Sequence, residues 1–205
     1  MPRELPDWVE GQLRRRGIHD ERVLEAMAAV PREAFVPADW FDRAYEDGAI
    51  PIAFGQTVSQ PYIVGLMAQG LRLTGSESVL DVGTGSGYAA AVLAELAREV
   101  HSIERIPELA ESARAALDSA GYGRVQVHTG DGSLGLAAYG PYDAIAVAAA
   151  AREVPPALWE QLREGGRMAI PLRARGPAQE LCILVRKDGR ARLVASVPAR
   201  FVPLV

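Results

Sequence analysis

The stretch Val79-Leu80-Asp81-Val82-Gly83-Thr84-Gly85-Ser86-Gly87-Tyr88 constrains the fold of this chain more tightly than any other. A short apolar run ends in three alternating glycines, the residue type that accepts the left-handed backbone of a tight turn, and Tyr88 opens a helical pattern. Strand, glycine turn and helix in this order form the first unit of an open α/β sheet, whose ligands bind at the carboxyl ends of the strands. The downstream pattern repeats the alternation: strands are predicted over 79–82, 100–104, 125–129, 142–148 and 167–171, and helices over 88–97, 107–120 and 155–163. Such alternation builds a parallel, helix-covered sheet. Near the end, Asp188-Gly189 between apolar runs at 181–186 and 191–197 signals a hairpin, so the sheet is expected to finish with an antiparallel strand.

The first 75 residues lack this alternation. A helix is predicted over 7–16, a second from the N-cap Asp20 to residue 30 where Pro31 stops it, and a third over 61–71 with Pro61 in its first turn. Between them, residues 35–60 are rich in Pro and Gly and read as irregular. The reading is of one domain over 1–205, with a helical cap and substrate segment (1–75) and a cofactor-binding sheet core (76–205).

Of 205 residues, 49% are hydrophobic and 23% charged, enough for a full-sized core that removes roughly 70% of the unfolded surface from water. No apolar run reaches the roughly 20 residues of a membrane span, and Met1-Pro2-Arg3-Glu4 lacks the apolar core of a secretory leader, so a cytoplasmic protein with no membrane partner is expected. Net charge is −4 and Lys187 is the sole lysine among 22 basic residues, which argues against a nucleic-acid surface. Arg14, Arg15 and Arg16 read as a solvated helix face, and the single cysteine, Cys182, as a buried strand position. A monomer is expected.

Three details of the glycine turn point to S-adenosylmethionine rather than a dinucleotide. The spacing is G-x-G-x-G, not the G-x-G-x-x-G that seats a pyrophosphate. Asp81 stands just before the turn, where a carboxylate suits a cation and repels a diphosphate. Two more acids follow at later strand ends: Glu104, placed to bind both ribose hydroxyls, and Asp131 in Gly130-Asp131-Gly132, placed to accept from the adenine amino group.

The acceptor side is read by what it lacks. The segment after the fourth strand of the core is Ala148-Ala149-Ala150-Ala151, with no Asn or Asp to hold an amine. The histidines, His19, His101 and His128, are scattered in sequence, so no metal is expected. A carboxylate acceptor fits, because an α-carboxyl with a pKa near 3.5 is ionised at neutral pH and needs no general base. Two other readings, a dinucleotide-dependent oxidoreductase and a non-catalytic cofactor-binding module, are disfavoured by Asp81 with the turn spacing, and by Gln56 with Ser59, respectively.

The segment Ile52-Ala53-Phe54-Gly55-Gln56-Thr57-Val58-Ser59-Gln60-Pro61-Tyr62-Ile63-Val64 resembles the substrate and cofactor segment of the protein-L-isoaspartate O-methyltransferases. Later blocks agree in order, among them Ser102-Ile103-Glu104-Arg105, Gly130-Asp131-Gly132, Val154-Pro155-Pro156-Ala157-Leu158, Gln179-Glu180-Leu181 and Phe201-Val202-Pro203-Leu204. The resemblance implies a Rossmann-like class I S-adenosylmethionine-dependent methyltransferase fold, α/β, with a mostly parallel seven-stranded sheet, an antiparallel C-terminal strand and an N-terminal helical cap. It implies methyl transfer to the free α-carboxylate of L-isoaspartyl residues in damaged proteins and peptides, with S-adenosylhomocysteine as by-product. The alternative is a carboxyl methyltransferase of the same fold acting on aspartate in a peptide natural product. Ser59 is implied as the active-site residue. The cofactor contacts implied are Gln56, Thr57, Val58, Ser59, Asp81, Gly83, Thr84, Gly85, Ser86, Gly87, Glu104, Arg105, Asp131, Gly132 and Gln179. Val64 stands where some members have histidine, and Arg152 where many have proline.

Overall fold

A computed structural model describes residues 5–173 and 178–204. Met1–Glu4, read above for a leader signal, lie outside the described residues. The N-terminal part contains helices α1 (Asp7–Gln12), α2 (Glu21–Ala29) and α3 (Pro61–Leu71), and a two-residue hairpin of strands β1 (Ile50–Pro51) and β2 (Thr57–Val58). The core then runs β3 (Ser78–Val82), α4 (Tyr88–Leu96), β4 (Glu99–Glu104), α5 (Pro107–Ser119), β5 (Gln126–Thr129), β6 (Tyr142–Val147), α6 (Pro156–Gln161), β7 (Leu162–Arg173), β8 (Gln179–Lys187) and β9 (Arg190–Ala199).

Local chemistry sets most boundaries. Asp20 caps α2 by accepting the Arg22 N–H, and Pro31 follows its end. Pro61 occupies the first turn of α3, where a missing N–H costs nothing, and Arg72 ends that helix in the left-handed region. Asp188 and Gly189 both have positive φ, which makes the two-residue turn that joins β8 to β9.

The large sheet has the order β5-β4-β3-β6-β7-β8-β9. Strands β3 to β7 are parallel, β8 runs against them, and β9, antiparallel to β8, turns back into their direction. The reversed strand that the Asp-Gly turn predicts is therefore the penultimate one. The chain leaves β3 for β4 on one side and later crosses to β6 on the other, so the glycine turn after β3 lies at the switch in strand order. β3 is buried along its whole length because helices cover both faces of the sheet.

One apolar cluster joins α2, α3 and α4 to one face of the sheet, and it includes Val9, Leu13, Ile18 and Phe35. The cap therefore shares its core with the sheet. A second cluster lies on the opposite face, around Leu80, Ile145, Leu158 and Met168. Residues 35–60 are more ordered than their composition suggests: 3-10 turns at Arg32–Phe35 and Ala38–Arg43 lead into the β1–β2 hairpin. The first predicted helix stops being α-helical at Gln12 and continues as a 3-10 turn over Arg14–Arg16, where Arg14 pairs with Glu10 and Glu21, and Arg16 with Asp47. α6 ends at Gln161, short of residue 163, because Leu162 turns extended to begin β7 and Arg186 donates to the Trp159 and Leu162 carbonyls at the junction. Cys182 is buried in β8, and burial raises its thiol pKa. No helix among the described residues is long and apolar enough to cross a membrane.

Candidate active site

A cleft of about 560 Å³ opens at the carboxyl ends of β3 and β4. Three stretches of chain build it. The glycine turn forms the floor: Gly83, Gly85 and Gly87 all have positive φ, and a Cβ on Gly87 would lie 3.1 Å from Leu117 of α5, so the turn and the start of α4 require glycine there. The hairpin after β1 carries Gln56, Thr57, Val58 and Ser59 to one wall. A strap following β9, through Arg200, Phe201 and Val202, forms another wall. It is fixed by reciprocal backbone bonds, Ala150 N–H to the Val202 carbonyl at 2.7 Å and Leu204 N–H to the Ala150 carbonyl at 2.8 Å.

The turn is braced from below. Gly83 N–H donates to the Ile103 carbonyl at 2.9 Å, and Gly85 N–H to Glu104 Oε2 at 2.9 Å. Ile106 N–H donates to the other Glu104 oxygen at 3.0 Å. Beneath, Thr84 Oγ1 lies 2.5 Å from Ser102 Oγ, which donates to Asp81 Oδ2 at 2.7 Å. Asp81 is 1% exposed, and its Oδ1 has no partner. Burial pushes this carboxyl up to about 7; the Ser102 hydroxyl opposes the shift and the charge on Glu104 adds to it.

Eleven of the residues singled out in the sequence line the cleft together: Gln56, Thr57, Val58, Ser59, Gly83, Thr84, Gly85, Ser86, Glu104, Arg105 and Gly132. Four do not. Asp81 is buried under the turn, held by Ser102. Gly87 caps α4 against α5. Asp131 is exposed and turns its Oδ1 back to the Ser133 N–H and hydroxyl, a local turn that leaves its neighbour Gly132 on the wall. Gln179 sits on β8 and reaches the strap, accepting the Phe201 N–H at 2.7 Å and donating to the Phe201 carbonyl at 3.2 Å. Ser59 is half-buried and is not the cap of α3: that position belongs to Gln60, and no side chain caps the helix. Its hydroxyl is not consumed by capping.

Sequence reading missed the cleft roles of Tyr88, Ile106 and Arg200. The block at 201–204 marked the strap without showing what it covers. The histidines are less scattered than their numbering implies: His101 Nδ1 lies 3.2 Å from His128 Nε2, and its other nitrogen 3.1 Å from Glu99. Even so, among the described residues no group of three or more His, Cys, Asp or Glu side chains could hold a metal ion.

With the geometry in place, comparison with known proteins identifies the family. The family model described as protein-L-isoaspartate(D-aspartate) O-methyltransferase matches residues 8–205. A protein-L-isoaspartate O-methyltransferase from Marinobacter nauticus is 56% identical over 96% of this chain and 90% of its own length, and one from Rhodopseudomonas palustris is 52% identical over 96% and 91%. A solved protein-L-isoaspartate O-methyltransferase superposes with a TM-score of 0.82 at 28% identity, covering 95% of this chain and 64% of that one. A Plasmodium falciparum structure of the same description, in complex with S-adenosyl-L-homocysteine, has a TM-score of 0.82 at 24% identity over 99% of both chains, which shows the fold. This chain belongs to the protein-L-isoaspartate(D-aspartate) O-methyltransferase family.

Proposed function

We propose that this chain methylates the free α-carboxylate of L-isoaspartyl residues in damaged proteins, with S-adenosylmethionine as donor. The observation that carries this reading is the composition of the cleft wall. Among the described lining residues Glu104 is the sole carboxylate, both of its oxygens already accept backbone N–H groups, and no histidine, lysine or cysteine is present. Tyr88 lines the cleft, but its phenol is buried with its hydroxyl directed at Met27 and is pushed up to about 12 by burial, far from any use as a base at neutral pH. An amine or phenol acceptor would need a base; an ionised carboxylate needs none.

The residues fit the donor. Glu104 keeps a free lone-pair direction on each oxygen, enough to accept two ribose hydroxyls. Val82, Ile103, Ile106 and Gly132 offer an apolar slot for a purine. The unpartnered Oδ1 of Asp81 supplies negative potential beneath the turn for a cation. The volume suits a ligand of this size. When bound, S-adenosylmethionine supplies a methyl carbon activated by a sulfonium sulfur, which a carboxylate oxygen takes in one displacement, leaving S-adenosylhomocysteine and a methyl ester.

The chain's own part is placement. Ser59 donates its hydroxyl hydrogen to the acceptor carboxylate, and the N-terminus of α3 adds positive potential on the same wall. Gln56, Thr57 and Val58 hold the donor's amino-acid end, and Arg105 lies beside Glu104 on the ribose side. The hairpin and the strap keep water away from the reacting atoms. Gln179 acts through Phe201, Gly87 sets the turn that opens α4, and Asp131, whose Oδ1 is held by Ser133, has its other oxygen to accept from the adenine amino group. The ester closes to a succinimide more readily than the acid, and hydrolysis returns some ordinary aspartate, which makes the activity one of repair.

Methyl-ester formation on a synthetic isoaspartyl peptide, with the matched aspartyl peptide as control, tests the reading. Ester on the first alone is expected. Ester on the aspartyl peptide alone would point to the peptide natural-product alternative, and ester on neither would refute carboxyl transfer.

A further inference from the structure

We propose that Arg32 is a positioning residue for methyl transfer, a buried cation that braces the Ser59 segment against the first residue of α4. The inference rests on placing Ser59 on the acceptor side of the cleft. Arg32 is 0% exposed. Its Nε donates to the Ala44 carbonyl at 2.7 Å, its Nη2 to the Ser59 carbonyl at 2.9 Å, and its guanidinium carbon lies 4.6 Å from the centre of the Tyr88 ring. Its Nη1 has no partner. The titratable side chains that act on it are Tyr88 and Tyr45, not carboxylates, and the adjacent Glu33 is engaged by the Tyr45 hydroxyl.

A guanidinium buried with no anion and one idle nitrogen is costly, and an apolar side chain of similar volume would pack the same space more cheaply. Arginine does one thing here that such a residue cannot: its rigid fork holds the carbonyl after the 3-10 turn, the Ser59 carbonyl and the Tyr88 face in fixed relation. Tyr88 follows the glycine turn directly, so the brace links the acceptor wall to the donor floor from behind. Displacement between two bound groups demands that alignment, and a misplacement of about 1 Å costs on the order of 100-fold in rate. The guanidinium keeps its charge although burial lowers its pKa, so it also sets positive potential behind an anionic acceptor.

The test compares wild type, Arg32→Met and Arg32→Lys in steady-state methylation of an isoaspartyl peptide, with S-adenosylhomocysteine affinity measured by calorimetry on each. Arg32→Met is expected to lose about 100-fold in kcat with S-adenosylhomocysteine affinity within about threefold of wild type. A kcat within threefold of wild type overturns the proposal, as does a parallel loss of affinity and turnover, the mark of a merely structural residue. If Arg32→Met does not fold, Arg32→Lys decides: it keeps the charge but loses the fork, and about a tenfold lower kcat with unchanged affinity is expected, whereas wild-type turnover overturns the brace. Failure of the wild-type protein itself to methylate the isoaspartyl peptide would instead sink the reading of Ser59.

Discussion

The Glu104 carboxylate accepts the Gly85 N–H at 2.9 Å, so the end of β4 and the glycine turn form one rigid unit. The second oxygen accepts Ile106 N–H, so both acceptor sites face backbone donors. Glu104→Gln puts an amide NH2 against one of these N–H groups and halves the acceptors left for a ribose. Losing a ribose hydrogen bond to the charged carboxylate costs about 1.5–3 kcal/mol, which corresponds to roughly 10- to 100-fold weaker binding of S-adenosylhomocysteine. Calorimetry checks this, and wild-type affinity in the variant would remove Glu104 from the ribose site.

Ser59→Ala separates acceptor from donor chemistry. A hydrogen bond to a charged group contributes about 1.5–3 kcal/mol, so turnover is expected to fall by roughly 10- to 100-fold. Because Gln60 and not Ser59 occupies the cap position of α3, the melting temperature should stay within about 2 °C of wild type. S-adenosylhomocysteine affinity should hold as well. Unchanged kcat on the isoaspartyl peptide would leave Ser59 without a role in the reaction.

What the sequence made legible is what local chemistry decides. The glycine turn, the Asp188-Gly189 hairpin and the start of α3 at Pro61 each follow from backbone preferences of one or two residues. Long-range register was not legible. His101 and His128 are 27 residues apart, and they meet because β4 and β5 pair with His101 beside Gln126 and Ile103 beside His128, a register no local signal specifies. The turn that orients Asp131 was not legible either: the serine two residues on donates to its Oδ1 through both backbone N–H and hydroxyl. Arg32 followed a helix-stopping proline and carried no sign of burial, since burial depends on Ala44, Ser59 and Tyr88 arriving from three separate segments.

Gln179 holds Phe201 by two opposed bonds, and Phe201 lies on the strap that walls the cleft. Gln179→Ala removes both, at about 1 kcal/mol each, and should free the strap without melting the sheet. Amide hydrogen exchange at Phe201 should accelerate by about tenfold or more, with the peptide KM raised several-fold and S-adenosylhomocysteine affinity nearly unchanged. Exchange as slow as in wild type would show that the reciprocal Ala150 bonds hold the strap alone.

Asp81 should make donor binding pH-dependent. Its carboxyl is raised from the ordinary 3.8 to about 7, chiefly by burial, so the folded protein favours the neutral form. A group raised in this way contributes stability below about 3.8 that is lost as pH climbs through about 7, and Asp81→Asn should therefore gain stability over wild type across that window. Binding runs with the opposite sign. A cationic donor favours the ionised form, so its binding expels a proton below about 7, and affinity should rise by up to tenfold per pH unit towards that value before levelling off. Calorimetry with S-adenosylmethionine at pH 5.5, 6.5 and 8, in buffers of different ionisation heat, reads both the affinity and the released proton. Asp81→Asn keeps any titration of the ligand itself and removes this group's share, so the difference between the two proteins isolates Asp81. Identical pH profiles in both would mean that the carboxylate under the glycine turn does not sense the donor's charge.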